Sequence, residues 1–228
     1  MSRDILHVSL RECRMVLERL ILIERLDGGL VPALRDCALY SAMHHGGFDH
    51  VRDHIERLKA GIDAQMTLDE ADGDIAVDCG GRHAWTVADT LLDLAVDRYR
   101  RGLPSAVRVR NVGDAAELAV IPYLAERYRL AARVDGDSLA VTGGAAPTAL
   151  DQIRRHGLPV ERTAWWRLFR RANDALAPES LASRRHAGPI MVDAEGRVIG
   201  RADEDETDLN LLTDPTLVAA GLTLSNGE

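Results

Sequence analysis

The sequence predicts a mixed α/β fold: an N-terminal helical layer on a small mixed sheet, with a C-terminal segment folding back. Three observations carry that expectation. Apolar residues recur at helical spacing through the first sixty positions, as in Val16, Leu17, Leu20, Ile23 and Leu26. From Asp74 onward, short β-branched runs alternate with helical stretches, giving strand–helix–strand–helix–strand. Beyond Thr142-Gly143-Gly144-Ala145-Ala146-Pro147, a linker by composition, short helical patterns and a hairpin pattern follow. Residues 1–141 are read as the helical layer plus the strand–helix core, and 142–228 as a linker and helical/hairpin segment of the same domain. A chain of 228 residues is long enough for one full core.

The elements follow in order. Ser9-Leu10-Arg11-Glu12 is a capping box, in which the Ser hydroxyl and Glu carboxylate satisfy open amides at a helix start. Asp27-Gly28-Gly29 stops that helix. Pro32 suits the first turn of a second one reaching His44, and a third runs from Phe48 to Ala60, burying Val51, Ile55 and Leu58. After a polar connector, Asp74–Asp78 reads as a strand and Cys79-Gly80-Gly81 as a tight loop. Thr86 is placed to cap a long helix to Arg101. Val107–Val109 is a second strand. Asp114-Ala115-Ala116-Glu117 repeats the capping-box pattern ahead of a helix to Tyr128 with a kink at Pro122. Leu130–Val134 and Ser138–Val141 flank Asp135-Gly136-Asp137 as a hairpin. Helices then cover Ala149–His156 and Glu161–Ala175, and a hairpin joins Pro189–Val192 to Arg197–Gly200. An acidic run spans Asp203–Asp208, and a last helix starts at Asp214-Pro215.

Composition excludes several classes. A net charge of −8 opposes nucleic-acid phosphates and anionic lipid, and Lys and Arg form no basic stripe. No apolar run approaches a membrane span, and the polar start carries no signal core. Three cysteines, Cys13, Cys37 and Cys79, without a C-x-x-C spacing, point to free thiols and a cytoplasmic location.

The richest polar cluster is His44, His45, Asp49, His50 and His54. His50 and His54 stand one helical turn apart, a spacing that can hold a metal. No carboxylate is placed as in H-E-x-x-H, so no metal ligand is assigned, and a metal-dependent enzyme built on residues 44–54 ranks as the weakest alternative. Asp114 reads by itself as an N-cap with Glu117 at N3, and Asn111 and Gly113 as the turn before it. Of Trp165-Trp166, one ring belongs in the core and one at the surface.

Three stretches together resemble the malate/L-lactate dehydrogenase family of 2-keto acid reductases, which includes ureidoglycolate and diketogulonate reductases. They are His44-His45-Gly46-Gly47 with Glu56-Arg57-Leu58-Lys59-Ala60-Gly61, then Val77-Asp78-Cys79-Gly80-Gly81, then Val107-Arg108-Val109-Arg110-Asn111-Val112-Gly113-Asp114. A weaker likeness lies in Leu176-Ala177-Pro178-Glu179-Ser180. The resemblance implies that His45 matches the family's proton donor to the carbonyl oxygen, and that Asn111 and Asp114 are the candidate substrate-binding residues. It implies a small 2-keto or 2-imino acid ligand, and a homodimer or partner enzyme as companion. Asp114 stands where the family carries a histidine. NAD(P) enters through the resemblance alone. No G-x-G-x-x-G is present and the family's long central segment has no counterpart after Val141, so no cofactor-binding residue is assigned. The expected protein is reductase-like, with a non-catalytic accessory subunit as the alternative.

Overall fold

The computed structural model describes residues 4–48, 50–71, 73–144 and 149–176, and the backbone of 191–192 and 198–199. The chain divides into two compact units, Met1–Leu176 and Ala177–Glu228. The expected fold class is observed: helices and a small mixed sheet share the first unit.

Strand β1 (Ile5–Val8) leads into α1 (Leu10–Ile23), which opens on the expected capping box with both Ser9–Glu12 contacts formed. Helix α2 (Val31–His44) has Pro32 in its first turn and eight buried residues, because it is packed on more than one side. It contacts α1, α3 (Val51–Arg57) and α4 (Ala84–Arg100). That central position explains its weak amphipathicity and why a polar residue, Ser41, lies fully buried within it.

The main sheet has the order β2-β3-β4-β6-β5. Strands β3 (Asp74–Asp78) and β4 (Val107–Arg110) run parallel with α4 as their crossover, while the remaining pairings are antiparallel. Both strands alternate buried and exposed residues, with Ile75, Val77, Val107 and Val109 facing the core. Strands β5 (Leu130–Asp135) and β6 (Ser138–Gly143) form the expected hairpin. The connector before Asp74 contains an additional strand, β2 (Thr67–Ala71). Every residue of it is exposed, so it carries no apolar alternation and is held by backbone pairing to β3.

Two expected helix starts are corrected. His83, not Thr86, caps α4: its Nδ1 accepts from the Trp85 amide, and the Thr86 hydroxyl donates to the His83 carbonyl. Asp114 makes no side-chain cap; it sits in the left-handed region at φ 52°. The expected helix to Tyr128 is three short pieces: a 3-10 turn Ala115–Val120, α5 (Ile121–Leu124), and a 3-10 turn Ala125–Tyr128. Pro122 lies in the first turn of α5, where it starts a helix rather than kinking one.

Helix α6 (Ala149–His156), strand β7 (Leu158–Glu161) and α7 (Arg162–Ala172) return to the N-terminal layer. Strand β7 pairs antiparallel with β1, Ile5 opposite Glu161 and Val8 opposite Leu158, and α7 packs on α1. Trp165 is buried and Trp166 is exposed, as expected. In the second unit β8 (Met191–Val192) pairs with β9 (Val198–Ile199), within the expected hairpin. The acidic run 203–208, the helix from Asp214 and residues 177–180 lie outside the described residues. Among the described residues no helix is long and apolar enough to cross a membrane.

Candidate functional site

The end of α2, the start of α3, the loop before α4 and the turn after β4 meet in one polar cluster. Its centre is Glu117, which is 3% exposed. The Ser41 hydroxyl and the Trp85 indole N–H donate to its Oε2 at 2.6 and 2.9 Å. His45 Nε2 lies 3.1 Å and His54 Nε2 3.4 Å from its Oε1. Burial alone would raise the pKa of this carboxyl. The Ser41 bond, His54, the Trp85 bond and His45 outweigh burial, so the net shift is downward and the group stays a carboxylate.

The donors determine the imidazole tautomers. Ser41 gives its only hydroxyl proton to Glu117, so at 2.8 Å it accepts from His50 Nε2–H. Arg57 can only donate, and its Nη2 lies 3.0 Å from His54 Nδ1, which is therefore an acceptor and leaves the proton on Nε2 toward Glu117. His83 is buried and accepts at Nδ1 from the Trp85 amide. Its own proton is therefore on Nε2, 3.0 Å from His54 Nδ1 and 3.4 Å from Asp114 Oδ2. Burial holds the His83 pKa down at about 4; Asp114 and Glu117 pull it up, while His54 and Arg57 push it further down. His83 is accordingly neutral near pH 7. Arg57 closes the outer edge, pairing with Asp114 Oδ1 at 3.2 Å.

The structure thus joins His45, His50, His54 and Asp114 through Glu117, Ser41 and His83, which sequence reasoning did not assign to a site. Glu117 reads in the sequence as an ordinary third residue of a capping box, and its burial has no local signature. Asn111 is not part of the cluster: it is left-handed at φ 53° and its side-chain amide donates to Asp78 Oδ1. His44 turns aside to the Tyr123 hydroxyl, 3.2 Å away. Asp49 lies outside the described residues.

The loop after β3 does not fit a dinucleotide phosphate. Its amides are already committed: Gly80 N–H to Asp78 Oδ1, Gly81 N–H to the Asn111 carbonyl, Arg82 N–H to the Cys79 carbonyl. At the start of α4, Ala84 N–H is bound to the Gly113 carbonyl. Glycine is required at position 80 by the chain itself, since its φ is +64° and a Cβ there would lie 2.7 Å from the Gln65 carbonyl oxygen. A pyrophosphate needs open amides at a helix start, and here it would also meet the Asp78 carboxylate.

No protein-family model matches the chain, and no curated protein is matched by it. Fold and site together define a mixed α/β protein with a histidine–carboxylate centre between its helical layer and its sheet.

Proposed function

We propose that this centre binds a small 2-keto or 2-imino acid beside His45 and moves a proton to or from it, without hydride transfer of its own. The carrying observation is the His45–Glu117 pair. A buried carboxylate fixes the ring through Nε2–H, and the ring is two-fifths exposed. Nδ1 is then the nitrogen left to exchange a proton with a ligand, the arrangement of an oriented acid–base imidazole. Arg57, half exposed and paired with Asp114 at the edge of the cluster, is a cation that can receive the ligand's carboxylate. The closed loop after β3 supports a protein that handles the acid without a nicotinamide, as an accessory or proton-transfer partner would.

The test uses pyruvate in deuterated water, with methyl-proton loss followed by NMR. The wild-type protein should accelerate exchange, and His45→Gln should reduce that acceleration by about a hundredfold or more, the scale of a lost general acid–base group. No acceleration, together with no pyruvate binding at millimolar concentration, would remove this reading.

A further inference from the structure

We infer that His45, His50 and Glu117 form a seat for one divalent cation of the zinc type, and that an ion bound there switches off proton exchange by His45. The regulatory half rests on the proposed function; the metal site itself does not.

The first argument is charge. Glu117 is a buried carboxylate whose ion-pair partners among the described residues are His45 and His54, with no Lys or Arg beside it. An interior charge without a fixed counter-ion is costly, and a cation supplies the missing charge. The second is donor type and spacing. One donor atom each from His45, His50 and Glu117 lies within 4.8 Å of the others. Two imidazoles and a carboxylate are a ligand set that zinc uses when a fourth position stays open. His45 Nε2 and Glu117 Oε1 are 3.1 Å apart. Adjacent ligands on a tetrahedral ion with bonds of about 2.1 Å stand about 3.4 Å apart, so that pair is already spaced for it. The third is support behind the ligands: Ser41 and Trp85 hold Glu117 Oε2, leaving Oε1 for the ion.

A second set, His54, His83 and Asp114, also converges, but two contacts disqualify it. His83 Nδ1 is held as an acceptor by a backbone amide, so the proton on Nε2 cannot shift to it, whereas His45 and His50, which also carry Nε2–H in the ion-free chain, bind an ion there by shifting that proton to Nδ1. The Arg57 guanidinium already lies 3.0 Å from His54 Nδ1 and 3.2 Å from Asp114 Oδ1. In the first set, His45 is exposed and can respond. When an ion takes the Nε2 lone pair, the ring proton moves to Nδ1, which then has no lone pair with which to take a proton from the ligand.

Zinc chloride is titrated calorimetrically into chelator-stripped, folded full-length protein. One ion per chain should bind with a dissociation constant in the micromolar range or tighter. His45→Ala and His50→Ala should each weaken it tenfold or more, while Asp114→Asn should leave it within about twofold. Circular dichroism verifies that each variant is folded. No zinc binding by the wild type, or loss in Asp114→Asn with retention in His50→Ala, overturns the site. Pyruvate exchange is then measured with and without zinc, each protein against its own metal-free rate. Wild type should be inhibited and His50→Ala should resist; stimulation by zinc overturns the switch while leaving the metal site standing.

Discussion

At the scale of single residues, the centre depends on who donates to whom. Glu117 is tolerable inside because Ser41, Trp85, His45 and His54 all present N–H or O–H to it. His83 is the reverse case, a ring kept neutral because burial disfavours its charged form. Its folded pKa of about 4 lies below the usual 6.5, so the unfolded chain binds the proton more readily between those values. Stability from this group is fully present above pH 6.5 and is lost as pH falls toward 4, with no further loss below. The full difference is on the order of 3 kcal/mol. Urea unfolding across that window should show the decline, and His83→Asn, which keeps a capping acceptor but does not titrate, should flatten it. An equal decline in His83→Asn would assign the pH dependence to other groups.

At the scale of elements, the turn from β4 into the 3-10 segment shows how a site can take over a cap. Asp114 has the residue type and spacing of an N-cap, and its neighbour pattern is that of a capping box. In the folded chain its backbone is left-handed and its carboxylate faces Arg57 and His83 instead. A cap would tolerate Ser as well as Asn. A left-handed position favours Gly, then Asn, over Ser and Ala, by about 1 kcal/mol for Gly against Ala. The expected order of stability is therefore Asp114→Gly and Asp114→Asn above Asp114→Ser and Asp114→Ala, read from urea midpoints. If Asp114→Ser is as stable as Asp114→Asn, the side chain is a cap after all. The missed strands have a related cause. β1, β2 and β7 are four or five residues long, and pairing of β1 with β7 joins positions 150 to 156 residues apart. No window along the chain contains both partners.

At the scale of the molecule, the unit Met1–Leu176 is closed by its own ends. β7 supplies the partner of β1, and α7 covers α1. A chain ended at Leu176 should therefore unfold cooperatively in urea. One ended at Gly144 loses both covers and should unfold at much lower denaturant or fail to fold. Equal midpoints for the two would show that the closure contributes nothing to stability.

The amino-acid sequence by itself determined the mixed α/β class, the α1 capping box, the strand–helix–strand succession of β3, α4 and β4 and the β5–β6 hairpin. Each depends on periodicity and turn chemistry within a few residues. It also marked His45, His50 and His54 as a polar group worth attention. Only the tertiary structure decided what surrounds them. Glu117 reaches His45 across 72 positions and Ser41 across 76, and His83 reaches His54 across 29. Those contacts arise because α2, α3 and the two loops beside the parallel strands are packed together, and burial then selects one hydrogen-bond arrangement. A carboxylate becomes a site when water is removed from it, and removal of water is a property of packing.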